Sequence, residues 1–383
     1  MNILVALDSF KGSLSSRQAN AAVKKGLLNA SDSFRVATIP VADGGEGTID
    51  ALVSALGGRV VYKTVCGPLR RPVKAAYGII HQDTTAVIEV AEACGLPLVN
   101  EEDRNALSAT SYGVGELIVD ALEKGCRDMI IGLGGSAVTD GGTGMLRALG
   151  FQFLDADGRS IGDGGGQLSR LAHIDTTHVH PRLNDAVIQT MCDVSNPLYG
   201  PNGSAHIFAP QKGASPEEVS LLDEGLQHFA AVVQKQLGLD LQDIAGSGAA
   251  GGLGAAFSGF LQSSLQSGVQ FILDEVKVDE RIAEADLIIT GEGKLDAQSS
   301  MGKAPSGIAE RAKQQGRAVI ALAGDITAVE KTLHGAGIDA CFSIMRGPSS
   351  LQDALTPDTA RDNLAETSEQ IGRLLTVKTG LWA

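Results

Sequence analysis

The segment V-A-D-G-G-E-G-T, residues 41–48, holds two carboxylates, Asp43 and Glu46, among three glycines. It follows a short apolar run from Phe34 to Pro40 and precedes a helical pattern. Glycine lets a backbone turn tightly and approach a ligand closely, and the amides that open the next helix can receive an anion or a phosphate. An Asp-Gly turn that caps the helix is the plainer reading. Recurrence favours a site: D-G-G-T-G stands at 140–144, D-G-G-G at 163–166 and G-E-G-K-L-D at 291–296.

A second stretch, I-G-L-G-G-S-A-V-T-D-G-G-T-G at 131–144, combines Gly134 and Gly135 with the hydroxyls of Ser136 and Thr139 and the carboxylate of Asp140. Amide donors, hydroxyls and a metal-capable carboxylate are the parts of a triphosphate cradle, and a packed turn is the competing reading. Asp193 and Asn196 in C-D-V-S-N-P-L pair residue types suited to a magnesium ion or to aligning an attacking hydroxyl, or to an Asx-turn before Pro197. Lys11, Arg71, Lys212, Lys294 and Lys303 lie in loops or at helix starts, where surface charge is the default. Lys11 and Lys294 each share a glycine-containing loop with a carboxylate. The pattern G-S-G-A-A-G at 246–251 matches a dinucleotide fingerprint, but no clear strand leads into it, and close packing or nucleotide-phosphate binding explains it better. No G-x-x-x-x-G-K-[ST] occurs, which excludes a P-loop. The seven histidines lack metal-ligand spacing.

The elements that must carry these residues alternate. Ile3 to Leu7 reads as a buried strand ending at Asp8, then a helix from about Ser15 to Leu28, a strand Phe34 to Ile39 and a helix from Thr48 to Leu56. Strands near 60–66, 73–80 and 85–90 then follow one another without a helix, predicting a mixed or antiparallel sheet. A helix near Gly113–Lys124, a strand at Asp128–Ile131, a helix around Met145, a strand at Val187–Met191 and a helix over Pro216–Gln236 continue it. After residue 275 the first rhythm returns: a strand at Asp286–Thr290, the loop G-E-G-K-L-D, a helix at Lys303–Gln315, strands at Ala318–Ala323 and Ile338–Ile344, and a last helix over Leu351–Leu375. The expectation is an α/β protein of two domains. Residues 1–60 and 280–383 form a flavodoxin-like parallel sheet, and residues 61–279 form an inserted mixed α/β domain. Ligands in such sheets gather at the carboxyl ends of the strands, where Asp8, Lys11, Asp43 and Glu46 fall.

Composition narrows the partners. With 45 acidic residues against 31 Lys and Arg, the net charge of −14 argues against a nucleic-acid or anionic-membrane surface. Any phosphate must be gripped locally by glycine amides, a few cations and a metal. The five cysteines are odd in number and lack C-x-x-C spacing, which points to reduced thiols in a cytoplasm. The apolar run Ile3–Leu7 is too short for a signal peptide. The thirty residues from Ile244 to Leu273 carry no charge but are too rich in Gly, Ser and Gln to span a bilayer, and read as a buried Gly/Ala-rich loop and helix.

At these residues the chain resembles the bacterial class I glycerate kinases. The matching segments are A-L-D-S-F-K-G-S-L at 6–14, P-V-A-D-G-G-E-G-T at 40–48, G-L-G-G-S-A-V-T-D-G-G-T-G-M at 132–145, C-D-V-S-N-P-L at 192–198, P-Q-K-G-A at 210–214, T-G-E-G-K-L-D at 290–296 and G-K-A-P at 302–305. The resemblance implies ATP-dependent phosphorylation of D-glycerate, usually at the 2-hydroxyl, with Mg2+, on a two-domain α/β fold. Two positions depart: Lys294 stands where Arg is expected, and Arg70 where Gly is expected. On that reading glycerate lies between the domains, its carboxylate held by Lys11 and Arg71, with Asp8 and Asn196 also against the substrate. Asp193 orients or deprotonates the hydroxyl, assisted by Lys11 and Asp43, and Asp43 or Asp296 holds the metal. Gly134, Gly135, Ser136 and Thr139, with Gly248, Gly251 and Lys294, cradle the nucleotide. A nicotinamide-dependent oxidoreductase using Gly246–Gly251 and a non-enzymatic glycerate-binding regulator are the rivals; homo-oligomerisation is left open.

Overall fold

The structure, a computed structural model, describes residues 1–296, 303–327 and 330–377. Its strands are β1 (Asn2–Leu7), β2 (Arg35–Thr38), β3 (Gly58–Cys66), β4 (Pro72–Ile80), β5 (Thr85–Glu89), β6 (Asp128–Gly132), β7 (Gln152–Leu154), β8 (His173–Asp175), β9 (Val187–Met191), β10 (Ser264–Gln266), β11 (Leu287–Leu295), β12 (Ala318–Ile326) and β13 (Ala340–Ser343). The principal helices are α1 (Ser16–Ala30), α2 (Thr48–Leu56), α3 (Tyr112–Glu123), α4 (Thr143–Ala148), α5 (Pro216–Leu237), α6 (Gly268–Glu275), α7 (Ala304–Gln314) and α8 (Pro357–Thr376). The chain divides into two units, one of Met1–Asp43, Asp50–Leu56 and Val269–Ala383, the other of Gly44–Ile49 and Gly57–Gly268. One boundary falls inside the D-G-G-E-G-T loop.

The first unit is built on a five-stranded sheet in the order β13-β12-β11-β1-β2, every pairing parallel. Read from the other edge this is the 2-1-3-4-5 order of the flavodoxin-like fold. Ile3 to Leu7 is apolar at every position and buried throughout, as a central parallel strand covered on both faces requires. Ser15 caps α1 with a complete capping box to Gln18. At Gly26 of α1 a Cβ would fall 2.0 Å from the Ala365 carbonyl of α8, so only glycine lets the two helices pack this closely.

The second unit carries a six-stranded sheet in the order β10-β9-β6-β5-β4-β3. β3, β4 and β5 pair antiparallel, while β5, β6, β9 and β10 run parallel. The parallel half is therefore the half whose carboxyl ends share one edge. Ser215 and Glu218 form the capping box of α5, with Pro216 in its first turn. Phe151, Phe153, Phe229 and Phe260 meet as one aromatic cluster in this core.

Three expectations need correction. G-E-G-K-L at 291–295 is not a loop: β11 runs on to Leu295 because β12 is equally long and supplies ladder partners as far as Ile326. The last helix breaks between Leu351–Ala354 and α8, since Pro357 has no N–H to continue the ladder and instead occupies the first turn of a new helix. Within the uncharged segment, Ser264–Gln266 forms an edge strand that its composition did not announce. No helix among the described residues is long and apolar enough to cross a membrane.

Candidate active site

In the first unit Asp8, Lys11 and Asp43 lie at the carboxyl edge of the parallel sheet. Asp8 follows β1 and is almost fully buried, its Oδ1 accepting from the Ser9 amide at 2.6 Å. Burial, then the neighbouring Asp43 carboxylate, push its pKa well above the usual carboxylate range, against the pull of the Ser9 amide and Lys11. Lys11 Nζ donates to Asp43 Oδ2 at 3.0 Å. Burial works against the Lys11 ammonium, yet Asp43, Asp8 and Glu292 together raise its pKa. On β11, Glu292 lies 3.6 Å from Lys303, which also stands 4.0 Å from Asp296. Lys294 reaches Asp325 on the adjacent strand at 3.5 Å. Of the residues singled out from sequence, Asp8, Lys11 and Asp43 thus form one cluster, and Glu292 joins it although it was not selected. Gly302 of the G-K-A-P motif lies outside the described residues.

In the second unit the loops converge on the carboxyl ends of β5, β6 and β9. The Gly44–Ile49 stretch lies against the loop after β6: a Cβ on Gly132 would fall 2.5 Å from the Gly44 carbonyl, and one on Gly134 would fall 2.9 Å from the Gly45 Cα. The two glycine loops touch backbone to backbone. Gly134 and Gly135 are exposed there. Asp193, two residues beyond β9, is also exposed, and its Oδ1 accepts from Ser267 Oγ at 3.1 Å and from the Gly268 amide at 3.0 Å. Asn196 is half-buried, and its side-chain amide donates to the Asn202 carbonyl at 2.9 Å. Arg71, in the β3–β4 turn, is exposed and lies 3.7 Å from Asp103.

Several side chains hold this edge from below. Ser136 and Thr139 are buried, so their hydroxyls face the protein. Lys212, read from sequence as surface charge, is instead buried, and its Nζ donates to Val138 O at 2.6 Å and to Ser136 Oγ at 3.3 Å. Burial pushes its pKa down to about 8. Asp140 is fully buried too: it accepts from the Ser111 amide and hydroxyl, both at 2.8 Å, and from the amides of Gly142 at 3.0 Å and Gly144 at 3.3 Å. Those contacts assign it to holding two helix starts, not to a metal. Gly248 and Gly251 lie against protein, since a Cβ at either would fall 2.1 Å from the Pro197 carbonyl or 2.0 Å from that of Val138. The segment 246–252 and the loop 132–144 are therefore packed together, with Gly141 N donating to Gly251 O at 2.9 Å. No strand leads into Gly246–Gly251, and the fingerprint match is accounted for by backbone packing.

Arg70 explains its own departure from expectation. Its φ is +64°, the left-handed region that favours glycine. The side chain offsets that strain by pairing with Asp163 and by lying 5.4 Å over the Tyr112 ring. A left-handed non-glycine residue costs about 1–2 kcal/mol, while a half-exposed ion pair and a cation–π contact each return up to about 1 kcal/mol. Arg70→Gly should accordingly shift the melting temperature by less than about 4 °C in a thermal unfolding scan. A larger loss would mean the Asp163 pairing is worth more than its exposure suggests.

Comparison with known proteins agrees along the whole chain. A family model described as the glycerate kinase family matches residues 3–376. Glycerate 2-kinase of Escherichia coli strain K12 is 45% identical over 377 residues, covering 98% of each chain. Glycerate kinase of Bacillus subtilis strain 168 is 44% identical over 373 residues, covering 97% of this chain and 96% of its own. A crystal structure from Salmonella typhimurium LT2, provisionally named glycerate kinase 2, matches with a TM-score of 0.88 and 42% identity over 98% of each chain. With the predicted flavodoxin-like sheet observed and the motif loops gathered at strand carboxyl ends, these matches show that the chain belongs to the glycerate kinase family.

Proposed function

We propose that the protein transfers a phosphoryl group from ATP to the 2-hydroxyl of D-glycerate. The observation that carries this reading is Asp193, an exposed carboxylate two residues beyond β9 whose Oδ1 is fixed by Ser267 Oγ and the Gly268 amide. A carboxylate held in one orientation can align a substrate hydroxyl and take its proton as the oxygen attacks. Gly134 and Gly135 offer amides to the phosphates, and Lys11 offsets negative charge on substrate or nucleotide. The Escherichia coli relative, named a glycerate 2-kinase, supports the 2-hydroxyl as acceptor.

A magnesium ion fits the donors present. Among the described residues, no group of three or more His, Cys, Asp or Glu side chains converges as a ready-made metal cage. Magnesium in phosphoryl-transfer sites takes one or two carboxylates, with phosphate oxygens and waters completing its shell. Asp43 is our first choice of ligand and Asp296 the second. Burial first, then the neighbouring Asp43 and Glu292 carboxylates, raise the pKa of Asp8 at this edge, and Lys11 opposes the rise. When bound there, magnesium neutralises charge on the phosphates.

The test is a ³¹P NMR product assay with ATP, magnesium and D-glycerate, run beside a control without glycerate. The expected result is a glycerate-dependent phosphomonoester signal split by a single proton, as a phosphate on C2 requires. Splitting by two protons would move the acceptor to the 3-hydroxyl. Intact ATP with folded protein would overturn the kinase reading.

A further inference from the structure

Glu89 ends β5 and is nearly buried, directly across the parallel ladder from Gly132. Its Oε1 accepts from the Ile49 amide at 2.8 Å, and its carboxylate also takes the Gly47 amide. Those amides open α2, whose own N-cap, Gly47 at φ +94°, has no side chain to satisfy them. A helix start leaves its first amides without partners, and here a carboxylate from another strand supplies the cap. The same turn carries Gly44 and Gly45 against the loop after β6.

We propose that Glu89 is a positioning residue for the kinase reaction, holding the D-G-G-E-G-T turn so that its carboxylates and amides meet the substrate in fixed register. This rests on the kinase reading above. Glu89 touches backbone amides of the turn and acts through them. The ionised carboxylate accepts these amides more strongly than the protonated acid does. Burial pushes the Glu89 pKa up to about 7, with Glu92 and Glu46 adding to that rise and the Ile49 and Gly47 amides opposing it. Hold on the turn should therefore strengthen as pH rises through neutrality.

Stability carries the opposite sign. A carboxyl whose folded pKa is raised binds its proton more tightly in the folded chain, so its contribution falls as pH rises from the ordinary glutamate range to about 7. Positioning and stability thus part company at pH 8, which a purely structural residue would not do.

The experiment compares wild type with Glu89→Gln in the intact chain, using the ³¹P product assay for rate, thermal melting for stability and amide hydrogen exchange for Gly47 and Ile49. At pH 8 Glu89→Gln should lower kcat about tenfold and speed exchange of those two amides about tenfold, matching the loss of a hydrogen bond to a charged group. It should also flatten the rise in activity near pH 7 and leave the melting temperature equal or higher. Unchanged kinetics and exchange would overturn the proposal, as would a fall in melting temperature in step with kcat. If Glu89→Gln fails to fold, Glu89→Asp keeps the charge but shortens the reach. It should retain the pH-dependent limb while speeding the same two exchange rates, and wild-type exchange in it would overturn the proposal. If wild type forms no glycerate-dependent phosphoester, the kinase reading fails, and amide exchange alone decides whether Glu89 holds the turn.

Discussion

Asp193→Asn is expected to lower kcat by roughly 10²–10⁴-fold while leaving the fold intact, because general-base assistance is typically of that size. The substitution is close to isosteric, and its amide oxygen can still accept from Ser267 Oγ and the Gly268 amide. What it removes is the negative charge and the capacity to receive the hydroxyl proton. The melting temperature should therefore stay within about 2 °C of wild type, since an exposed substitution that keeps its hydrogen bonds usually changes stability by less than about 0.5 kcal/mol. Ser267→Ala gives the graded comparison. It removes one of two orienting bonds and should cost about tenfold or less, the equivalent of one ordinary hydrogen bond. Single-turnover rates with saturating ATP and glycerate would check both. A loss below about tenfold in Asp193→Asn would exclude Asp193 as the base and leave it an orienting group at most.

What could be read from the sequence, and what could not, follows from the reach of each interaction. Apolar periodicity and strand-terminal carboxylates are local, so β1, α2, β9 and α5 and the 2-1-3-4-5 order were legible from one chain. Partners distant in sequence were not. Lys212 follows a proline in a short turn, which is a surface signature, and its burial depends on Val138 and Ser136 more than seventy positions away. At Gly251 the Val138 carbonyl occupies the space a side chain would need, a packing demand for glycine that the fingerprint alone does not reveal. Arg70 concealed a left-handed residue because its strain is offset by Asp163 and Tyr112, neither of them near in sequence. Glu89 did leave a signal that went unread. It is the lone charged residue of an otherwise uncharged buried strand, at the carboxyl end where such sheets place ligands.

Asp140→Ala is the complementary prediction, a large loss of stability with no direct role in chemistry. The carboxylate takes four hydrogen bonds in the interior, two from Ser111 just before α3 and two from Gly142 and Gly144 at the start of α4. Burial drives its pKa upward, and those donors oppose the rise. A buried acid with no cationic partner bonded to it is tolerable only because two sets of helix-start amides, each with its positive dipole end, converge on it. Truncation leaves those buried donors without their acceptor. Each stranded donor costs about 1–3 kcal/mol, though not additively. A net loss of about 3–5 kcal/mol is expected, the range found when a buried charge network is broken. Asp140→Asn should recover little, because the amide nitrogen it introduces must face other donors. Thermal unfolding should register a drop on the order of 10 °C in either variant, and glycerate should not restore it. A drop below about 3 °C would mean the loop 131–144 is held chiefly by Lys212 and by its packing on Gly251, with Asp140 then available for another role. The two substitutions therefore divide two aspartates that look alike in sequence. Each follows a strand of the same sheet, yet Asp193 is expected to govern rate without stability and Asp140 stability with no chemistry of its own.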